Sequence, residues 1–171
     1  MSTDARPLEA RVVARLTHAN TVQVFDSGVL DDGSLYLAME YLPGRDLAWH
    51  LRVRGPMTEE AAITIGVQVL GSLEEAHAKG VIHRDIKPAN IMLVRRQGAD
   101  DRVKLLDFGV AKLQEAEGKK SQTGEGEFIG TPSYMAPEQA AGQVREIGPH
   151  TDVWALGAIL YETLTGRPPF L

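Results

Sequence analysis

The stretch His83-Arg84-Asp85-Ile86-Lys87-Pro88-Ala89-Asn90 decides how the rest of the chain is read. A long helical pattern stops at Gly80 just before it, and a short apolar run, residues 91–94, follows it. The stretch therefore reads as a loop held between a helix and a strand, a setting that presents side chains from a rigid base. Asp85 offers a carboxylate that can accept the proton of an attacking hydroxyl. Lys87 offers a cation that can neutralise negative charge beside it, and Asn90 an amide oxygen that can ligate a divalent cation. A charged surface loop is the plain alternative, so the surrounding sequence has to arbitrate.

Downstream, residues 103–106 read as a second short strand, joined to the first by the polar connection 95–102 and followed at once by Asp107-Phe108-Gly109. Residues 114–127 are rich in Gly, Lys, Glu, Ser and Thr with almost no apolar residue, the composition of a mobile loop. Gly130-Thr131-Pro132 and Ala136-Pro137-Glu138 come next. Asp152-Val153-Trp154 opens a helix expected over about 151–165, with Val153, Leu156, Ile159 and Leu160 as its apolar residues. Gly166 and Pro168-Pro169 end it.

Upstream, residues 7–16 read as a short helix with Val12, Val13 and Leu16 as core positions, broken at His18-Ala19-Asn20. Residues 21–25 and 35–41 read as strands around an Asp31-to-Ser34 turn, and Pro43-Gly44 ends the second. Thr58 is placed to cap a long helix, with Glu59 and Glu60 in its first turn, where the helix dipole favours negative charge. Ile63, Val67, Leu70 and Leu73 share a face of that helix.

The order and context of these motifs resemble the serine/threonine protein kinase family, in its bacterial, eukaryotic-like form, over nearly the whole chain. Lys87 tilts the resemblance toward the serine/threonine type. It implies an α+β, protein-kinase-like fold. Residues 1–42 would be a partial small lobe (one helix plus antiparallel strands), and residues 43–171 a mostly helical larger lobe with the catalytic loop and activation segment. It further implies transfer of the ATP γ-phosphoryl group to Ser and Thr hydroxyls of protein substrates. Asp85 would be the catalytic base, Lys87 its charge-neutralising partner, and Asn90 and Asp107 the Mg2+ ligands. Residues 40–42 look like the connector that hydrogen-bonds adenine through backbone groups, which places Glu40 and Leu42 at the nucleotide. Met39 would be the gatekeeper, Met92 would lie under the base, and Asp46 would reach toward the ribose; Met39 and Met92 read equally well as simple core. Glu9 matches the helix glutamate that pairs with a phosphate-binding lysine, with a solvated surface residue as the alternative. Val13, Val24, His83 and Phe108 are similar to the stacked apolar column of active kinases. Residues 107–138 look like the activation segment, where Arg84 would pair with a phosphate on Ser121 or Thr123, and Thr131 would position substrate.

The resemblance breaks at its two ends. No glycine precedes Gly28 and no lysine precedes Lys79, so the family's glycine-rich loop and strand lysine have no counterpart. The chain also stops at Leu171, before the helices that would complete the larger lobe, taking the usual partner of Glu138 with them. The expectation is a kinase domain truncated at both ends, inactive or weak alone, with an exposed lobe open to a partner. The alternatives are a non-catalytic pseudokinase or docking module, and a small-molecule phosphotransferase of related fold. The set Asp85, Lys87, Asn90 and Asp107 speaks against the first, and Ala136-Pro137-Glu138 against the second.

Composition narrows the rest. The chain of 171 residues is 43% hydrophobic and 24% charged, enough to bury a core. Its net charge of −5 argues against nucleic acid or an anionic membrane as partner. With no cysteine, disulfides and thiolate metal sites are excluded, and a cytoplasmic setting is expected. No apolar run is long enough for a membrane span.

Overall fold

A computed structural model describes residues 15–30, 32, 34–96, 99–108 and 132–170. The strands are β1 (Val24–Val29), β2 (Leu35–Met39), β3 (Gly44–Asp46), β4 (Ile91–Arg96) and β5 (Ala99–Leu105). The helices are α1 (Leu47–Arg54), α2 (Glu59–Ala78), the one-turn α3 (Pro137–Ala140) and α4 (Pro149–Thr165). β1 and β2 form an antiparallel hairpin running from the Val24–Met39 pair to the Val29–Leu35 pair. β4 lies between β3 and β5 in a second antiparallel sheet. Residues 20–22 tie the two sheets together: Leu105 N donates to Asn20 O at 2.7 Å, and Val22 N to Leu105 O at 3.0 Å. The strand expected at 21–25 thus begins only at Val24, because Thr21 and Val22 are spent on β5.

One apolar core runs through the described residues, with Leu73 and Val69 of α2, Ile91 and Leu105 of the sheet, Phe108, and Ile159 of α4 among its fully enclosed members. α2 begins as expected: Thr58 Oγ1 accepts from Ala61 N at 3.3 Å, with Glu59 and Glu60 in the first turn. Its buried face is not the expected one. Ile63, Val67 and Leu70 are exposed, and the inward stripe is Ala62, Ile65, Gly66, Val69, Ser72, Leu73 and Ala76. Gly66 lies on that stripe beside α4, where a Cβ would come to 3.4 Å from the Leu160 side chain. On α4, Val153 is likewise exposed while Leu156 and Ile159 are buried.

The short helix α1 lies where no helix was expected. Asp46 caps it, Oδ1 accepting from Trp49 N at 2.7 Å. At the other end of the described chain, Arg15 sits in a turn and Leu16 is buried outside any helix. The rest of the helix expected at 7–16, with Val12 and Val13, lies outside the described residues, as does the loop expected at 114–127.

Glu75, near the C-terminal end of α2, holds residues 15–18. Its carboxylate accepts from His18 N at 2.8 Å, from Thr17 N at 2.9 Å, from Thr17 Oγ1 at 3.1 Å and from Lys79 Nζ at 2.7 Å. Burial alone would raise its pKa; the Lys79 hydrogen bond, then the His18 and Thr17 N–H groups, outweigh burial and hold it at about 2. A carboxyl depressed in the folded state contributes stability that is complete above the unfolded pKa and lost as pH falls through the folded one. Urea unfolding at fixed temperature should therefore show stability falling between about pH 4.5 and pH 2. Glu75→Gln should remove on the order of 2 kcal/mol of that dependence. An identical pH profile in the variant would contradict this reading.

Candidate active site

The loop 83–90 hangs from one buried carboxylate. Asp152, in the first turn of α4, is 1% exposed. Its Oδ2 accepts from His83 N at 2.9 Å and from His77 Nε2 at 2.7 Å, and its Oδ1 from Arg84 N at 2.9 Å. Each of its oxygens meets a donor, which offsets the cost of burying it. His83 itself is enclosed. Burial pushes its imidazole pKa down, against the opposing pull of Asp152. Asp85 N donates to His83 Nδ1 at 3.3 Å, which leaves the proton on Nε2 to donate to Leu106 O at 2.7 Å. The ring packs on Phe108 at 4.7 Å between centroids. His83 and Phe108 of the expected apolar column therefore touch, and Val24 packs against the same core. Val13 lies outside the described residues.

On this frame the polar groups come together. Lys87 Nζ donates to Asp85 Oδ2 at 2.8 Å, both side chains being half-buried. Asn90 Nδ2 donates to Asp85 O at 2.9 Å, which turns its Oδ1 into the acceptor left over. Asn90 N and O are held too, by Lys87 O at 2.9 Å and Leu106 N at 2.8 Å. That last bond stitches the loop to the residue just before Asp107. Two side chains here sit on left-handed backbone, Arg84 at φ 66 and Asp107 at φ 50. That conformation is uncommon for residues with a Cβ, and it occurs on either side of the loop's chemistry. Asp107 is exposed.

A shallow cleft beside the loop is lined by Arg84, Asp85, Lys87, Tyr134, Gln139 and Ala155, among others. Gln139 braces it, Nε2 donating to Arg84 O at 2.8 Å while Oε1 accepts from Ala136 N at 3.2 Å. Tyr134 Oη donates to Glu162 Oε2 at 2.5 Å; burial first, and then this bond, push the phenol pKa up. Glu138 does find partners within the chain: Thr151 Oγ1 donates to its Oε1 at 2.6 Å, and His150 Nε2 lies 3.4 Å away. These contacts tie α3 to the first turn of α4. The Thr151 bond is the main reason its pKa is lowered.

Of the residues expected at the nucleotide, Glu40 opens the connector after β2. Its side chain turns to Lys104 at 2.5 Å and Gln23 N at 2.8 Å, so any contact of Glu40 with a ligand would fall to its backbone. Leu42 is half-buried, and Met39 is partly exposed rather than core. Met92 pairs across β4 with both Asp46 and Lys104. One oxygen of Asp46 is occupied by the α1 cap. Glu9, Ser121, Thr123 and Thr131 lie outside the described residues. The supports that sequence reasoning missed are His77, Gln139, Glu162 and Lys104. A lysine between the strand residues Val103 and Leu105, both apolar, was the available signal for the last.

The protein kinase domain profile matches residues 2–171, and the chain belongs to that family. The chain is 44% identical over 163 residues to the serine/threonine-protein kinase pkn3 of Myxococcus xanthus, covering 95% of this chain and 29% of that protein. It is 41% identical over 165 residues to the serine/threonine-protein kinase PknB of Mycobacterium tuberculosis, covering 95% and 25%. Among solved structures, the kinase domain of Mycobacterium tuberculosis PknI superposes with a TM-score of 0.72 at 34% identity, covering 93% of this chain and 55% of that one. Rad53 1–466, in complex with AMP-PNP, superposes at 0.75 with 30% identity, covering 95% and 38%. The chain thus spans less than a third of the length of these curated relatives. Among the described residues no helix is long and apolar enough to cross a membrane.

Proposed function

We propose that this chain carries the phosphoryl-transfer loop of a serine/threonine protein kinase, using ATP and Mg2+ and acting on protein hydroxyls. The observation that carries this reading is the meeting of Asp85, Lys87 and Asn90 on a loop suspended from buried Asp152. Asp85 lines the cleft and would accept the hydroxyl proton of a protein substrate. Lys87, already against that carboxylate, holds it in place and offers positive charge to the group in transfer. The oriented Oδ1 of Asn90 and the exposed carboxylate of Asp107 are hard oxygen donors, the kind that suits Mg2+, which takes its remaining ligands from phosphate and water. Such an ion would supply charge neutralisation between the phosphates. The cleft under Tyr134 and Gln139 is where an extended substrate segment would lie. Arg84 would meet a phosphate placed on Ser121 or Thr123, and Thr131 would position substrate. Ligand binding tests this reading directly.

Titration with a fluorescent ADP analogue should show binding that Mg2+ tightens about tenfold, with Asp107→Asn erasing that increment and EDTA reproducing the loss. Binding that is absent, or indifferent to Mg2+ in the wild-type chain, would refute the reading.

A further inference from the structure

The shortest ion pair among the described residues lies outside the loop, between Lys104 of β5 and Glu40 at the start of the connector. Lys104 Nζ meets Glu40 Oε1 at 2.5 Å and also donates to Thr21 O at 3.0 Å. The same Oε1 accepts from Gln23 N at 2.8 Å, and Glu40 N donates to Gln23 O at 2.9 Å. Glu40 is thereby fastened at both its backbone and its side chain. Burial would raise the Glu40 pKa; Lys104 and the Gln23 N–H together bring it below the ordinary value. The exposures of 13% for Lys104 and 25% for Glu40 mean that solvent screens this pair less than an ordinary surface bridge.

Position gives the pair its consequence. Lys104 is the cross-strand neighbour of Met92 and stands on the strand that runs directly into Asp107. Glu40 stands on the connector whose backbone is read above as the edge of the nucleotide site. One charged contact thus joins the side of the site that would read the base to the strand that delivers a metal ligand. We propose that Lys104 is a positioning residue for nucleotide binding, acting through Glu40 to hold the connector against β5. This inference rests on the reading of the connector as a nucleotide edge. A ligand clamped between two segments loses affinity steeply when they drift by an ångström, so the pair governs affinity without touching the ligand.

The test combines nucleotide affinity with backbone exchange in the 171-residue chain. Lys104→Met keeps the aliphatic stem and deletes the charge. Glu40→Gln keeps an acceptor for Gln23 N and also deletes the charge, which covers the case in which the lysine variant does not fold. Each should weaken binding of the fluorescent ADP analogue about tenfold. Each should also speed hydrogen exchange at residues 40–42 selectively, with α2 and α4 unchanged. The double variant Glu40→Gln with Lys104→Met should weaken binding little more than either single variant, as expected when two residues act through each other. Unchanged affinity in both single variants, with the wild type binding normally, overturns this inference alone. Uniformly faster exchange throughout the chain would also overturn it, since that reports a general loss of stability. A wild-type chain that binds no analogue overturns the connector reading and this inference with it.

Discussion

Asp152→Ala is expected to cost about 3–5 kcal/mol of folding free energy, the range for removing one partner from a buried charged network. The variant would leave His83 N and Arg84 N without their acceptor and His77 Nε2 without its carboxylate. These groups are packed beneath the loop, so water reaches them poorly and the full desolvation penalty is felt. The urea midpoint should fall while the slope of the transition stays near that of the wild type, since the surface exposed on unfolding is unchanged. Asp152→Asn should fall between the two, because one amide oxygen remains while the NH2 group faces a donor. A midpoint shift worth less than about 1 kcal/mol in the alanine variant would mean that something else suspends the loop.

On the proposed reading, Asp85→Asn introduced into the full-length protein should reduce transfer of label from γ-labelled ATP to Ser and Thr of a generic protein substrate by roughly 10²- to 10⁴-fold, the usual weight of a positioned base. The amide is nearly the same shape, but it cannot take a proton, and it replaces the ion pair with Lys87 by a neutral contact. Folding should barely respond, because the Asn90 bond to this residue goes to the backbone carbonyl and survives the change. Measuring both quantities on the same preparation separates chemistry from stability. Transfer at the wild-type rate would remove Asp85 from the role of base, whatever its place in the loop.

The parts of the molecule that were legible in the sequence are those where chemistry dictates letters. A base, a cation and an amide at fixed offsets from His83 leave little freedom, and the loop is assembled from those residues. The cap of α2 was equally legible, since Thr58 followed by two glutamates has one common meaning. The face that α2 buries was not. Counting large apolar residues favoured Ile63, Val67 and Leu70, whereas the buried stripe includes Ala62, Gly66, Ser72 and Ala76, which such a count undervalues. Helix α1 was hidden for a related reason: Leu47 is its only buried residue, and two arginines fill its last turn. Asp46, taken only as a ribose contact, also carried the cap signal for that helix. The Lys104–Glu40 contact joins residues 64 positions apart, a distance over which no local pattern reaches.

The left-handed backbone at Arg84 and Asp107 has an evolutionary corollary. Each non-glycine residue held in that region gives up about 1–2 kcal/mol relative to a relaxed conformation. Glycine would recover part of that at either position while erasing a guanidinium or a carboxylate. A lineage selected for heat tolerance alone would therefore drift toward glycine at both, whereas one that depends on the guanidinium and the carboxylate would not.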